Sequence, residues 1–311
     1  MTNTPTADIE RTVAQIGRLA EAGCEIVRVA VPDEAAAQAI GKIKARVSIP
    51  VIADIHFDHR LAIRAVEAGA DGLRINPGNI GSKARVRVVA DCARHHGIAI
   101  RIGVNAGSLE KSLRDTHGGA TADAMVESAL RSIDLMHDFG FEALKISLKA
   151  SDVQRTVQAY RLLSTKTDLP FHIGVTEAGG LFAGIVKSSL GIGMLLADGI
   201  GDTLRVSLTR DPVEEVRVGY EILKALEIRR RGPEIISCPT CGRCNINLFD
   251  IAEAVERALI TSTAPIKVAI MGCMVNGPGE AKEADIGIAG GDGVGILFKK
   301  GKVVKKISQA Q

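Results

Sequence analysis

Tryptophan is absent from this chain, tyrosine occurs twice, and aromatic residues make up 3% of it. A protein that stacks unpaired bases needs such rings, so a single-strand nucleic-acid binder is excluded. Excess charge of either sign is also lacking: 39 Lys and Arg stand against 36 Asp and Glu, a net +3 that gives no ground for nucleic-acid or membrane partners. No apolar run is long enough to span a bilayer, and the opening MTNTPTADIE lacks the pattern of a secretory leader. A cytoplasmic location is therefore expected. The seven histidines form no HxH or HExxH metal motif, and His95 and His96, in ARHHG, read as solvated or capping residues at a helix end.

What is present fits a soluble globular protein of about two domains: 311 residues, 46% apolar and 24% charged. Six cysteines in a reducing compartment are thiols or metal ligands rather than disulfides. Cys24 and Cys92 read as small buried hydrophobes, whereas Cys238, Cys241, Cys244 and Cys273 crowd into the last quarter of the chain. CPTCGRC at 238–244 is followed, after one helix and one strand, by GCMVNGPGE at 272–280. One tight turn around Pro239 and Gly242 can aim Cys238 and Cys241 at one metal centre, Cys273 ends an apolar strand, and the glycines flanking Pro278 return Glu280 toward the same place. Three thiolates and a carboxylate make an iron-sulfur cradle. The spacing alone serves structural zinc equally well, and Cys244 offers a fourth thiolate for an all-cysteine set.

Upstream, strand and helix patterns alternate. Helices are predicted over 8–22, 33–46, 58–68, 82–95, 122–139, 152–164, 180–196 and 212–229. Strands fall at 25–31, 51–56, 72–76, 98–105, 143–149, 171–176 and 203–209. The repeat predicts an α/β fold, a TIM-type (β/α)8 barrel over 1–229, in which the first of eight strands is missing and two strand edges are left unpaired. The basic run RRRGPE reads as a linker to a small α+β domain over 234–311. Its core is small, so a bound centre should add to its stability.

The barrel strands alternate aliphatic and polar residues at period two, and the aliphatic set, such as Val27, Val29 and Val31, should face the helices. Arg28, Arg74, Arg101, Lys145, Lys149 and Arg205 then point inward, with Asp54, His56, Asn76, Asn105, Ser147, His172, Thr176 and Ser207. An ordinary barrel fills this space with Val, Ile and Leu. Converging cations repel one another unless an anion joins them, so a phosphate-rich ligand is expected at the C-terminal mouth. The glycine-rich turns NPGNIGS at 76–82 and TEAGGLFAG at 176–184 each open a helix, where backbone N–H groups favour phosphate. Glu177, in the second turn, reads either as an acid or base or as a partner for Arg or Lys.

SCPTCGR and GCMVNGPGEA, together with MTNTPTAD, RVAVPD, ADIHFD, RINPGNIG and GVTEAGG, resemble the signature of the bacterial 4-hydroxy-3-methylbut-2-enyl diphosphate synthases, and the likeness covers nearly the whole chain. That resemblance implies a two-electron reductive ring opening of 2-C-methyl-D-erythritol 2,4-cyclodiphosphate with loss of water, late in the non-mevalonate (MEP) isoprenoid pathway. It further implies a 4Fe-4S cluster on Cys238, Cys241, Cys273 and Glu280, electrons from reduced flavodoxin or ferredoxin, and a head-to-tail homodimer. Arg28, Arg74, Arg101, Lys145 and Arg205 would hold the diphosphate, Asn105 and Ser207 would donate hydrogen bonds, and Glu177 would move a proton. His56 and His172 are kept as ligand contacts from their inward positions. Two rivals stand beside this reading: a barrel lyase or transferase with a structural zinc site, and an electron carrier whose cluster only relays electrons.

Overall fold

The computed structural model describes residues 1–244, 246–273, 275, 279, 282–291 and 294–308. They fall into two compact units, Met1–Ile222 and Leu223–Gln311. No helix among the described residues is long and apolar enough to cross a membrane.

In the first unit, strands β1 (Val27–Ala30), β2 (Val51–Asp54), β3 (Gly72–Ile75), β4 (Ala99–Asn105) and β5 (Leu144–Lys149) form one five-stranded sheet in chain order. Every pairing in it is parallel. A bridge between Ile146 and Phe171 leads on to the parallel pair β6 (His172–Ile173) and β7 (Thr203–Leu204). Between them run α1 (Ile9–Glu21), α2 (Glu34–Lys44), α3 (His59–Glu67), α4 (Pro77–Ile80), α5 (Lys83–His95), α6 (Lys111–Thr116), α7 (Ala122–Asp138), α8 (Val153–Ser164), α9 (Leu181–Ala197) and α10 (Pro212–Ala225). Aspartates start several of these helices: the side chains of Asp8, Asp33, Asp58 and Asp152 accept first-turn N–H groups of α1, α2, α3 and α8. Each such cap contributes about 1 kcal/mol. The aliphatic strand face, including Val27, Val29, Leu73, Ile75, Ile100, Ile102, Ile146 and Leu148, is buried against the helices as the alternation requires.

Three features differ from the sequence-based expectations. The predicted strands 171–176 and 203–209 pair as β-structure only over two residues each, because Gly174 leaves extended geometry at φ 151 where its backbone closes on Arg205. The edge of β1, expected bare, carries the chain's first residues: Thr2 N–H donates to the Arg28 carbonyl at 3.0 Å and the Thr6 hydroxyl to that of Ala30 at 2.6 Å. Helices α4 and α6 were not expected; α4 forms because Asn76 caps it and Pro77 supplies a preset first helical φ.

The second unit carries a five-stranded sheet in the order β12, β11, β10, β9, β8, from strands β8 (Glu234–Ser237), β9 (Lys267–Met271), β10 (Ile286–Gly290), β11 (Val294–Lys299) and β12 (Lys302–Ser308). β8, β9 and β10 pair in parallel, and β10, β11 and β12 antiparallel. Helix α11 (Leu248–Leu259) lays Leu248 against Val268 and Ile270, while Ala269, Met271, Ala284, Ala289 and Phe298 fill a second small core.

Candidate functional site in the barrel interior and the cysteine loops

Parallel register sets the expected cations side by side. Asp54 lies opposite Arg74, Arg74 opposite Arg101, and Arg101 opposite Lys145, one rung across β2 to β5. Further along β4 and β5, Gly103 lies opposite Ser147 and Asn105 opposite Lys149. Like charges directly across strands are destabilising, so this rung needs compensation.

Part of it comes from Asp54, a buried carboxylate 3.4 Å from Arg28 and 3.3 Å from Arg74. Arg74 is itself buried, and it fits because Gly103 has no side chain: a methyl there would collide with the guanidinium. A second carboxylate comes from outside the strands. Glu215, buried on α10, grips Arg205 through both oxygens at 3.2 and 3.3 Å and accepts the Leu208 N–H at 3.1 Å. The strand alternation cannot find Glu215. Its signal is a glutamate on the buried stripe Pro212, Glu215, Gly219, Ile222 of an otherwise ordinary helix.

Arg101 and Lys149 have no carboxylate partner among the described residues, and the Arg101 Nε is buried without a hydrogen bond. Burial, then the nearby Arg28 and Arg74, push Arg101 down to about 9. Burial also holds Arg28 down, to about 10, against the pull of Asp54. Lys149 is driven well below the usual lysine range, first by burial and then by Arg101, Arg205, Arg28 and Arg74. Burial, then Lys149, Arg101, Arg28 and Lys145, lower His172 well below the usual histidine range, and its Nδ1 lies 3.0 Å from the Thr203 hydroxyl. Lys145 is lowered by burial and by Arg101.

Other expected residues are placed less centrally. His56 lies beyond β2 and is exposed, 3.8 Å from Asp54. Asn76 is buried, but its Oδ1 accepts the Gly78 N–H at 3.1 Å and so caps α4. Ser147 is buried on β5, while Asn105 and Ser207 are half-buried. Glu177 is exposed and sits at φ 52, a left-handed conformation that costs a non-glycine residue energy and is tolerated mainly at working sites. Helices α5 and α9, which follow the two glycine-rich turns, have neither a side-chain cap nor a first-turn acid. Their N-terminal amides therefore keep their positive character.

In the second unit Cys238, Cys241 and Cys244 are thiols outside any disulfide. Cys238, at the end of β8, accepts the Gly272 N–H at 3.4 Å, and a side chain on Gly272 would strike Cys244 Sγ at 2.5 Å and approach Cys238 Sγ to 3.5 Å. These two sulfurs thus converge on a hollow kept open by glycine, next to Cys273. Cys241 is exposed, and the Cys244 N–H donates to its carbonyl at 2.9 Å to close the turn. Among the described residues no three His, Cys, Asp or Glu side chains stand close enough to hold an ion, and Glu280 lies outside the described residues.

A parallel β/α barrel with a cation-lined interior, followed by a small α+β unit bearing thiols on its loops, is a two-part architecture with known counterparts. Residues 1–220 match the GcpE TIM-barrel domain and residues 234–311 the GcpE protein C-terminal domain, and the chain belongs to the GcpE family. The 4-hydroxy-3-methylbut-2-en-1-yl diphosphate synthase (flavodoxin) of Geobacter sulfurreducens is 60% identical over 310 residues, covering 100% of this chain and 88% of that protein. The protein of the same name from Desulfotalea psychrophila is 60% identical over 314 residues, covering 100% and 86%. That from Nitratidesulfovibrio vulgaris is 61% identical over 307 residues, covering 99% and 80%. Among solved structures, a Yersinia pestis dihydropteroate synthase superposes with a TM-score of 0.49 at 12% identity, covering 71% of this chain and 90% of that one.

Proposed function

We infer that the chain carries out its family's reaction: two electrons and a proton open the ring of 2-C-methyl-D-erythritol 2,4-cyclodiphosphate, and water leaves to give (E)-4-hydroxy-3-methylbut-2-enyl diphosphate. It is an oxidoreductase of the MEP isoprenoid pathway. Identity near 60% along the whole chain to synthases of that name supports this reading and disfavours a barrel lyase or transferase with a structural zinc site.

One observation carries the barrel's part: Arg101 and Lys149 are cations without a carboxylate partner among the described residues, beside Arg28, Arg74 and Arg205, which have one. A diphosphate supplies the missing negative charge. Breaking the ring C–O bond adds charge to the released phosphate oxygen, and donors already fixed in place stabilise that charge without reorganising. In this reading Arg28, Arg74, Arg101, Lys145, Lys149 and Arg205 bind the diphosphate. Asp54 orients Arg28 and Arg74, and Asn76, Asn105, Ser147, Ser207, His56 and His172 are polar contacts. Glu177, held strained at the start of the 176–184 turn, passes a proton to the departing hydroxyl.

Cys238, Cys241 and Cys273, with Glu280, would hold a 4Fe-4S cluster, which when bound supplies the two electrons. Cysteines at strand ends and in a turn, an N–H donated to Cys238 sulfur and the hollow at Gly272 suit such a group. Cys244 reaches the same hollow and competes as a fourth thiolate. Reduced flavodoxin or ferredoxin is the electron donor, and the assembly is a head-to-tail homodimer.

The test is iron, acid-labile sulfide and zinc content of protein purified without oxygen, followed by anaerobic turnover of the cyclodiphosphate with reduced flavodoxin. About four irons and four sulfides per chain with turnover is the expected result. One zinc without sulfide and no turnover would overturn it.

A further inference from the structure

The ladder between β5 and the segment entering β6 is kept in register on both sides of an interruption. Below it, Ile146 N–H donates to the Pro170 carbonyl at 2.9 Å and Ile146 bridges to Phe171. Above it, Thr176 N–H donates to the Ala150 carbonyl at 3.1 Å. A regular parallel ladder would join these with a bond from Leu148 N–H to the His172 carbonyl. Instead the Tyr160 hydroxyl, reaching in from α8, accepts the Leu148 N–H at 3.0 Å and donates to the His172 carbonyl at 2.6 Å. Both backbone groups are satisfied, but through an inserted oxygen.

The insertion sets a spacing. Two bonds of these lengths meeting at a tetrahedral oxygen hold N and O roughly 4.5 Å apart, against about 2.9 Å for a direct bond. The two strands are spread at the level where Lys149 and His172 enter the interior. Gly174 leaves the Lys149 amine room: a side chain there would strike the Arg205 carbonyl oxygen and lie 2.9 Å from that amine. Tyr160 is fully buried, its ring meets Phe171 edge-on at 5.8 Å, and burial keeps the phenol protonated as a donor. Its position is fixed from every side.

We propose that Tyr160 is a positioning residue for the diphosphate: its hydroxyl, spliced into the β5–β6 ladder, sets the gap across which Lys149 and His172 face the ligand. This rests on the reading of the barrel interior as the diphosphate site. The test uses the cluster-loaded full chain, inorganic pyrophosphate as probe, and the variants Tyr160→Phe, Lys149→Met and both together.

Tyr160→Phe keeps the ring and removes the spacer, so the pyrophosphate Kd and the substrate KM should rise together by roughly tenfold while iron content holds. In the Lys149→Met background it should add nothing further. A Tyr160→Phe protein that melts earlier but keeps wild-type Kd and KM would reduce Tyr160 to a structural residue and overturn the proposal. Unchanged affinity in Lys149→Met would instead reject the diphosphate reading beneath it. Should Tyr160→Phe fail to fold, 3-fluorotyrosine placed at both tyrosines of the unsubstituted chain gives a fluorine signal from Tyr160, assigned with Tyr220→Phe. That signal should move on saturation with pyrophosphate, and a signal that stays fixed while pyrophosphate binds would also overturn the proposal.

Discussion

The barrel interior and the cysteine loops are built on opposite plans. Barrel groups sit within strands, locked by ladder bonds and backed by a large aliphatic core, so their positions are paid for by the fold before any ligand arrives. The cysteines sit at strand ends and in turns beside small clusters such as Ala269, Met271, Ala284, Ala289 and Phe298. A preorganised site loses stability to hold like charges together, and its ligand relieves that loss. A site on loops over a small core instead gains order from what it binds.

The largest test of this contrast is Cys238→Ser. Turnover should fall to background and the small unit should become sensitive to protease, while pyrophosphate affinity of the barrel stays unchanged, as titration calorimetry would show. Loss of pyrophosphate binding as well would erase the distinction. Next comes Arg101→Leu, which removes a half-buried cation whose Nε is buried without a hydrogen bond and which has no carboxylate partner among the described residues. Pyrophosphate affinity should drop about 100-fold, the equivalent of a charge-assisted hydrogen bond, while the ligand-free protein melts no lower than the parent. A lower melting temperature would mean that the cation already has a stabilising partner.

Gly103→Ala should cost about 1–3 kcal/mol in denaturant titration, because the added methyl displaces Arg74 from its place beside Asp54. The smallest effect is one of pH. Lys149 and Arg101 have lowered pKa values in the fold, so below those values they are charged in both states and the full penalty applies. As pH rises through the folded values the native state sheds protons before the unfolded one, and the penalty fades. The melting-temperature advantage of ligand-free Arg101→Leu over the parent should therefore shrink as pH passes about 9, and an advantage that grows there would reverse the assignment.

Much of this was legible in sequence, for reasons that also fix the limits. Period two puts Arg28, Arg74, Arg101, Lys145 and Lys149 on the face away from the helices because strand geometry is local. Glu215 was missed: the helical period of α10 records only that it is buried, while its grip on Arg205 depends on how α10 crosses the strand ends. His56 fails the alternation because β2 stops at Asp54, one turn of the pattern too early. The shortened β6 and β7 follow from a close backbone approach at Gly174 that only the tertiary fold imposes. For the thiols, spacing pairs Cys238 with Cys241, and the fold also brings Cys244 onto the hollow at Gly272 beside Cys238, a nearness that spacing alone does not give.

Among the described residues, β5 meets the β6 segment through the Ile146–Phe171 bridge, the Thr176–Ala150 backbone bond and the Tyr160 phenol. A ring of strands opens at a seam where few bonds hold it, and few hold it here. A diphosphate held by Lys149 on one side and Arg205 on the other would act as a clasp across the opening. The bound protein would then outlast the free one under protease because the seam opens less often, with the speed of refolding left as it was.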